Sequence, residues 1–443
     1  MIVFLSDIHF SDETAGPPNV PSAAFAGVYK DLAKMARAAK AEKLEIVFLG
    51  DIFDLIRSTA WQEVDITHRP WSQDDGKWTK EQDQAAEKIL RNIIKLNKKS
   101  IQVLKKSPIE NTIRTFIPGN HDRIVNLSPA LRKTVCDALK LNHNSNKRFN
   151  HFFASPNART FARHGHEFDA FNFAGSKKFS QRKWVKIPQG DYDKTPIGDL
   201  LAAEISARLP DAVMQKLSGQ ENKYPELATR LKDLFDVRPF TAIPAFLSFQ
   251  IQNFNDPVVT QAINEGFQQV VSDFSKLSYV KRYIKSKDRW YNPFDEADKL
   301  KYIMALGERF DLSQLNLVVQ GYEIYLEIHK KKSNLASEAA DDFYRLNNCD
   351  EFNNSPFEFV LYGHTHSPEQ RLIDISGSNP NQRPRFYLNT GMWRPMHNQG
   401  LISGFASWHN LCYTVIYEPG ELWKGGTICT HPMFEVWTGC LEQ

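Results

Sequence analysis

The chain has 443 residues, more than the roughly 250–300 at which a single hydrophobic core stops growing, so we expect two domains or one domain with a large insertion. Its 42% hydrophobic and 24% charged residues are typical of a globular protein, and a net charge of only +3 excludes a surface that is basic throughout. The five cysteines are scattered without a CxxC pair, which excludes a disulfide framework and a zinc ribbon and indicates a reducing compartment.

The N-terminal sequence, MIVFLSDIHF, contains an apolar run that stops at Leu5 and has no basic region before it. This pattern indicates neither a signal peptide nor a membrane anchor. No apolar run approaches the ~20 residues that a membrane-spanning helix needs. We therefore expect a cytoplasmic protein without a membrane span.

The start of the chain predicts a strand, a helix and a second strand. Residues 2–5 and 45–49 are short, continuous apolar runs, which are typical of buried strands. Between them, apolar residues recur at helical spacing from Phe25 to Ala39. Such a βαβ unit makes the two strands parallel and joins them by a right-handed crossover.

The rest of the chain divides into strand-rich and helix-rich regions. Periodicity and turn signals predict a helix at 86–104 and strands at 114–117, 149–153, 159–164, 357–362, 385–389 and 412–417. Helical patterns dominate between these strands, at 196–209, 257–284, 293–306 and 312–329. The simplest organisation is a β-rich domain formed by residues 1–171 and 350–443 and interrupted by a mostly helical insertion at 172–349.

Polar side chains follow five of the predicted strands at the point where each strand ends. In chain order, the five segments read SDIH, GDIFD, GNHD, HGH and GHTH. Ligands of an open sheet bind at the edge formed by the carboxyl ends of its strands. Each segment alone is typical of an ordinary turn or of a buried histidine without a metal. Five of them in order, all at strand ends, predict one shared site.

The residue types at these strand ends indicate the chemistry. Histidine nitrogens combined with carboxylate and amide oxygens suit manganese, iron, zinc or nickel rather than calcium or a thiolate zinc site. Two such ions about 3.5–4 Å apart can clamp a phosphoryl group and lower the pKa of a bridging water toward neutrality. A bridged pair also needs one carboxylate that both ions share. We therefore expect two divalent ions, with manganese favoured.

The five segments resemble the signature of the calcineurin-like metallophosphoesterases, which reads DxH, GDxxD, GNH(D/E), a histidine and GHxH. All five elements are present, as SDIHF, GDIFD, GNHD, RHGHEFD and YGHTHS. The resemblance implies an α+β fold with a metallophosphoesterase β-sandwich core flanked by helices, to which the helical insertion is added. It also implies an enzyme, a metal-dependent hydrolase that cleaves phosphoester bonds.

The resemblance assigns roles to individual residues. Seven residues would bind the metals: Asp7, His9 and His366 at one ion, Asn120, His164 and His364 at the other, and Asp51 as the bridge. A hydroxide that bridges the ions would attack phosphorus. His121 would protonate the leaving oxygen as the general acid, and Asp54 would orient it.

The HGH element contains two histidines that compete for one ligand position. His164 closes the predicted strand, whereas His166 lies beyond the flexible Gly165. We therefore favour His164 as the ligand. His166 would then contact the substrate, or it would contact the metal-binding residues without binding a metal itself.

Three arginines lie in loops that the motifs place near the site: Arg57, Arg123 and Arg394. A guanidinium group can bind phosphate oxygens through two hydrogen bonds. The alternative is an ion pair with a local carboxylate. The two interpretations are balanced for Arg57 and Arg394, and the ion pair is favoured for Arg123.

Two segments, 176–186 and 279–290, mix cations with aromatic residues. Basic grooves with stacking rings suit single-stranded nucleic acid. A solvated helix face whose aromatic residues belong to the core explains the same pattern, and we favour it.

The substrate class stays open at this point. A phosphodiester is favoured, and a phosphomonoester or a nucleotide or lipid pyrophosphate is the alternative. A non-catalytic scaffold on the same fold is disfavoured, because every ligand position is filled. The helical insertion would cover the site as a cap or provide an interface between copies of the chain.

Overall fold

A computed structural model describes residues 1–71, 78–175, 186–238, 242–288, 296–309, 312, 335–349, 352, 356–376, 382–400, 404–409, 411–423 and 426–439. Two features that the sequence predicts fall largely outside these residues. They are the helix at 312–329 and the cationic segment at 176–186, of which only the end residues 312 and 186 are described.

The described residues form α-helices and β-strands that alternate at the two ends of the chain, with helices dominating between them. The α-helices are Ser22–Ala38 (α1), Lys80–Leu96 (α2), Lys98–Leu104 (α3), Pro129–Leu139 (α4), Gln189–Asp193 (α5), Ile197–Leu200 (α6), Leu209–Lys216 (α7), Pro225–Lys232 (α8), Ile243–Phe254 (α9), Pro257–Lys276 (α10), Ser278–Lys287 (α11), Glu296–Arg309 (α12) and Leu335–Asn347 (α13). The strands are Ile2–Leu5 (β1), Leu44–Leu49 (β2), Thr112–Ile117 (β3), Phe153–Ser155 (β4), Thr160–Ala162 (β5), Val237–Arg238 (β6), Phe359–Tyr362 (β7), Glu369–Ser376 (β8), Arg383–Asn389 (β9), Pro395–Gln399 (β10), Phe405–His409 (β11), Leu411–Tyr417 (β12), Leu422–Trp423 (β13), Thr427–Ile428 (β14) and Met433–Gly439 (β15).

The first large sheet has the strand order β15-β12-β1-β2-β3. Strands β1, β2 and β3 are parallel, and β12 and β15 extend the sheet in antiparallel fashion. The predicted βαβ unit is confirmed, because α1 connects β1 to the parallel neighbour β2. The carboxyl ends of the three parallel strands therefore meet at one edge.

The second large sheet has the order β4-β5-β7-β9-β8. Its three central strands β5, β7 and β9 are parallel, so their carboxyl ends also meet at one edge. The outer strands β4 and β8 are antiparallel to their neighbours. The strand pair predicted around residues 155–157 is present as β4 and β5, but both strands are shorter than predicted, and β4 begins at the last residue of the predicted strand 149–153.

The two sheets pack face to face, and helices cover their outer faces. Alternation along β1 sends Ile2 and Phe4 into a core shared with Phe359 and Leu361 of the second sheet. The opposite face of β1 packs into a second core with α1 to α4. Helix α13 covers the second sheet, where it shares a core with residues of β5, β7 and β9. The predicted α+β sandwich flanked by helices is confirmed.

Two predicted helices are each interrupted once. The pattern at 86–104 forms α2 and α3, which meet at Asn97, whose side-chain amide donates to the carbonyls of Ile93 and Ser11. The backbone angles of Asn97 (φ −92°, ψ 19°) leave the helical region at this junction, although its N–H still donates to the carbonyl of Ile93. The pattern at 257–284 forms α10 and α11, because Leu277 between them has extended backbone angles. Apolar spacing continues through both interruptions, so periodicity alone did not reveal them.

Residues 172–349, which we call the helical region, share a hydrophobic core with the sandwich. One hydrophobic cluster contains residues of α1 to α4 together with residues of α7, α9 and α10. Strand β6 of the helical region also pairs with β10, which in turn pairs with β11. The division into a domain of 1–171 and 350–443 and an insertion of 172–349 stays a prediction. No helix in the part of the chain that the structure describes is long and apolar enough to cross a membrane.

Candidate metal centre

The carboxyl ends of five strands bring the predicted ligands together. Asp7 and His9 follow β1, Asp51 follows β2, Asn120 and His121 follow β3, His164 follows β5, and His364 and His366 follow β7. Three sets of candidate metal-binding side chains have ligand atoms within 4.8 Å of one another: Asp7, His9 and His366; Asp51, His164 and His364; and His9, Asp54 and His121.

The first group consists of Asp7, His9 and His366, all of them buried. The Nε2 atoms of His9 and His366 lie 3.1 Å apart. The Oδ1 atom of Asp7 lies 3.3 Å from Nε2 of His366 and 3.8 Å from Nε2 of His9. Two imidazole nitrogens and one carboxylate oxygen therefore converge on one small volume, and this donor set suits a divalent ion.

The second group is linked to the first by Asp51. Its Oδ2 atom lies 3.1 Å from Nε2 of His164 and 3.8 Å from Nε2 of His9, which belongs to the first group. The Nδ1 atom of His364 lies 3.1 Å from Oδ1 of Asn120. The other ring nitrogen of His164 lies 2.9 Å from the carbonyl oxygen of Leu49, so its Nε2 points toward Asp51.

The backbone of the candidate ligands is strained. Asp7, His9, Asp51, His364 and His366 have φ angles between 50° and 69°. This left-handed region is uncommon for residues other than glycine, and each instance costs of order 1–3 kcal/mol. Such strain persists only where the surrounding structure imposes it, and it concentrates at functional sites.

Two motif glycines provide the space for these side chains. A Cβ atom at Gly50 would lie 2.6 Å from the Cγ atom of His164, and one at Gly119 would lie 2.6 Å from the backbone nitrogen of Asp51. Both distances are too short for a real contact. The GDIFD and GNHD segments therefore need glycine at these two positions, because a candidate metal-binding residue, His164 or Asp51, lies directly against the glycine backbone.

Burial and neighbouring charges control the protonation of the ligands. Burial lowers the pKa of His9 to about 3, so this imidazole is neutral. Burial alone would raise the pKa of Asp51, but His164 and His121 hold it well below its usual range. Burial alone would lower the pKa of His164, but the charge of Asp51 raises it to about 10. A metal ion would have to displace a proton from His164 in order to bind there.

His121 and Asp54 form a pair beside the two ligand groups. The Nδ1 atom of His121 lies 2.9 Å from Oδ1 of Asp54, and the backbone N–H of His121 donates to Asp51. Burial alone would raise the pKa of Asp54, but Arg57 and His121 hold it well below its usual range. Asp54 is therefore an anion that fixes the orientation of the His121 ring.

His166 lies behind His164, with ring centroids 5.4 Å apart. It is buried among aromatic rings, at 5.9 Å from Phe173 and 5.9 Å from Tyr192. It belongs to none of the three groups found among the described residues. Its substrate contact stays a prediction.

The three candidate arginines are buried and paired with carboxylates. Arg57 pairs with Asp54 (Nη2–Oδ2 2.8 Å). Arg394 donates to Asp236 through Nε and Nη2, at 3.1 and 3.0 Å. Arg123 donates to a single oxygen of Asp199 through Nε and Nη2, at 3.1 and 2.6 Å. Substrate contacts by Arg57 and Arg394 stay predictions, but these charges are already neutralised.

Sequence reasoning missed two carboxylates that support the site. Asp122 accepts hydrogen bonds from the backbone of Gly119 (2.6 Å) and Ile52 (2.8 Å), so it joins the loops after β2 and β3. Burial and the charge of Asp51 raise its pKa to about 7. Asp169 Oδ2 lies 3.2 Å from Nε2 of His364. Asp122 directly follows His121 in GNHD, and Asp169 closes the HGHEFD segment three residues after His166, so their positions in the motifs were available signals.

Helix α13 supports two ligand strands through a buried carboxylate that was also missed. The hydroxyl of Tyr362 donates to Asp342 Oδ2 (2.7 Å), and Nε of Arg163 lies 3.1 Å from the same oxygen. Arg345 donates to the other oxygen (2.7 Å). Because Arg163 precedes His164 and Tyr362 is two residues before His364, Asp342 ties the ends of β5 and β7 to α13.

Comparison with known proteins finds one family match, in the N-terminal part of the chain. Residues 1–215 match a family model described as calcineurin-like phosphoesterase. No curated protein and no solved structure matches the chain. The matched region contains the first four motif segments, and GHTH lies beyond it at the end of β7. Residues 1–215 are therefore similar to the calcineurin-like phosphoesterases, the family whose signature the five motif segments resemble.

Proposed function

We propose that the chain is a phosphohydrolase that uses two divalent metal ions, with a phosphodiester as the favoured substrate. The family indicates metal-dependent hydrolysis of phosphoesters. The observation that carries the two-ion proposal is the position of Asp51, whose Oδ2 atom lies 3.1 Å from His164 and 3.8 Å from His9. One carboxylate between two imidazole groups is the arrangement that a bridged pair of ions requires.

The donor set supports this proposal. One ion would be held by Asp7, His9 and His366, the other by Asn120, His164 and His364, and Asp51 would serve both. Mixed imidazole, carboxylate and amide donors suit manganese, which we favour, and iron, zinc and nickel are the alternatives. When bound, such ions would lower the pKa of a water molecule and neutralise charge on the phosphoryl oxygens.

The chain's own residues supply the proton transfer. The side chain of His121 is 14% exposed, so solvent and a substrate can reach it, whereas Asp54 behind it is fully buried. The anionic Asp54 accepts a hydrogen bond from Nδ1 of His121, which leaves Nε2 as the ring nitrogen for proton donation. A general acid in this position would protonate the leaving oxygen as the phosphoester bond breaks.

A phosphomonoester, or a nucleotide or lipid pyrophosphate, is the alternative substrate. Nucleic acid stays a prediction. In the described part of the segment 279–290, Val280 is buried and the Tyr279 hydroxyl donates to the carbonyl of Thr195. These contacts support the interpretation as a packed helix. Cytoplasmic location and self-association through the helical region also stay predictions.

A pair of artificial substrates tests the proposal. The full chain with Mn²⁺ is assayed with bis-(p-nitrophenyl) phosphate and p-nitrophenyl phosphate, with Asp51→Asn as the blank. We expect turnover of the diester above the blank. Turnover of the monoester alone would instead indicate that the chain is a phosphomonoesterase. The absence of both activities in a metal-loaded protein would favour the scaffold.

A further inference from the structure

One segment of the helical region, residues 233–238, is held against the metal centre by several contacts. The Phe235 ring lies between two guanidinium groups, with its centroid 3.6 Å from Cζ of Arg57 and 4.6 Å from Cζ of Arg394. Asp236 pairs with Arg394, and the last two residues of the segment form β6, which pairs with β10. The 233–238 segment is therefore fixed on both sides.

Arg238, at the end of this segment, is connected to the candidate ligands through short contacts. Its Nη1 donates to the carbonyl oxygen of Phe235 (3.0 Å), and Nη1 of Arg57 donates to the same oxygen. Nη2 of Arg57 then lies 3.3 Å from Nδ1 of His9. Two guanidinium groups thus converge on one carbonyl beside a candidate ligand of the first ion.

The three arginines of this region differ in their carboxylate partners. Three arginines, Arg57, Arg238 and Arg394, face two paired carboxylates, Asp54 and Asp236. The nearby Asp233 lies 3.8 Å from His397 instead (Oδ1–Nε2), and its pKa is raised to about 6 by burial and by the charge of Asp236. Among the described residues, Arg238 is therefore the arginine of these three that pairs with no carboxylate.

Arg238 differs from its two neighbours in exposure and in its partners. Arg57 and Arg394 are 4% and 1% exposed, and each pairs with a carboxylate, whereas Arg238 is only partly buried. Within the described ranges, no carboxylate lies within 4.0 Å of the Arg238 guanidinium, and both of its hydrogen bonds use Nη1, to the carbonyls of Phe235 and Val237. Its Nε and Nη2 are left for a ligand.

The Arg238 guanidinium keeps its charge and lies close to the candidate metal centre. Burial and the charge of Arg57 lower its pKa to about 10, which leaves it protonated at neutral pH. The carbonyl oxygen of Phe235 joins Arg238 to Arg57, whose Nη2 lies 3.3 Å from Nδ1 of His9. The guanidinium is therefore one residue removed from the first ligand group.

We propose that Arg238 binds an anionic oxygen of the substrate's phosphoryl group, so that the helical region contributes directly to substrate binding. The identity of the substrate rests on the proposed hydrolase function. A planar guanidinium with two unused donors matches phosphate oxygens better than an ammonium group does. Arg57 and Arg394 act as positioning residues that hold the 233–238 segment in place.

Binding of inorganic phosphate tests this assignment without turnover. The Mn²⁺-loaded full chain is titrated with phosphate in a calorimeter, as wild type and as Arg238→Ala and Arg238→Lys. Loss of a charged hydrogen-bond donor should weaken phosphate binding roughly 10- to 100-fold in Arg238→Ala. Arg238→Lys should fall between this variant and the wild type, because it keeps the charge and loses the planar fork.

Arg230→Ala is the matched control, because Arg230 is exposed, lies in the same region and pairs with Glu226 at 3.7 Å. Its phosphate affinity should stay within about twofold of the wild type. Metal content and Tm are measured for every variant. If Arg238→Ala does not fold, Arg238→Gln and Arg238→Lys provide the same comparison.

Two results would overturn the assignment. One is equal phosphate affinity of wild type and Arg238→Ala at equal metal content, and the other is a wild type that binds no phosphate. A wild type that binds phosphate through Arg238 but cleaves neither artificial ester separates the two proposals. In that case the hydrolase function fails and the phosphate site at Arg238 stands.

Discussion

The ligand groups and the 233–238 segment meet at the same edge of the sandwich, but they are built differently. The ligands follow strand ends directly, within three or four residues of β1, β2, β3, β5 and β7. Arg238 reaches the site through a segment distant in the chain, which is held by Phe235 between Arg57 and Arg394. The geometry of the candidate metal centre is thus set by strand ends, whereas the proposed contact with the substrate depends on the position of the 233–238 segment. The following predictions test this difference, from the largest expected effect to the smallest.

Replacing Asp51 by Asn should abolish activity and reduce the number of bound metals. The carboxamide lacks the charge that two ions would share, and loss of several kcal/mol corresponds to about a thousandfold or more in rate. Metal content by mass spectrometry and hydrolysis of the diester check this. If Asp51→Asn still bound two ions, Asp51 would not be the carboxylate that bridges them.

Replacing His121 by Gln should leave the metals bound and lower kcat by about 10²–10⁴-fold, because a general acid is lost while the ligands remain. The effect should shrink for an ester whose leaving group needs no proton, such as p-nitrophenolate. Equal losses for good and poor leaving groups would contradict the role of His121 as a proton donor.

Replacing Asp342 by Asn should destabilise the fold, because Arg163 and Arg345 would lose the carboxylate that they share in the interior. Removing one partner of a buried pair costs about 3–5 kcal/mol. Denaturant unfolding measures the loss, and metal affinity should fall with it, since β5 and β7 carry ligands.

The matched control is Asp341→Asn on the same helix. Asp341 is partly exposed and lies 3.8 Å from Arg345, so its loss should cost at most about 1 kcal/mol. Similar losses in both variants would show that the strands do not depend on Asp342.

Replacing Phe235 by Leu should have the smallest effect, about 1–3 kcal/mol in stability, because two cation–π contacts are lost while the backbone carbonyl remains. Weaker phosphate binding at unchanged metal content would show that the 233–238 segment orients Arg238 independently of the metal centre. Loss of metal in this variant would contradict the distinction between the ligand groups and the 233–238 segment, because the metal centre would then depend on that segment.

Sequence patterns predicted the parts of the fold that depend on neighbouring residues. The runs at 2–5 and 45–49 are confirmed as β1 and β2, and helix α1 lies between them. The helix break at Leu277 was missed, because apolar spacing continues across it while its backbone becomes extended. Strand β8 was also missed, since its edge position leaves Leu372 and Ile375 exposed without a buried alternation.

The sequence by itself determined the donor chemistry and the strands that carry it, because each motif places a candidate metal-binding side chain within a few residues of a strand end, and four of the five motifs also contain a glycine. Only the tertiary structure decided which arginine side chains remain available to bind a phosphate group. Arg57 and Arg394 resembled phosphate-binding residues in sequence, but each is neutralised by a carboxylate. Arg238 lies in no motif, and its two unused donors follow from contacts between segments far apart in the chain. Ion pairs depend on distance in space, which periodicity and motif spacing do not encode.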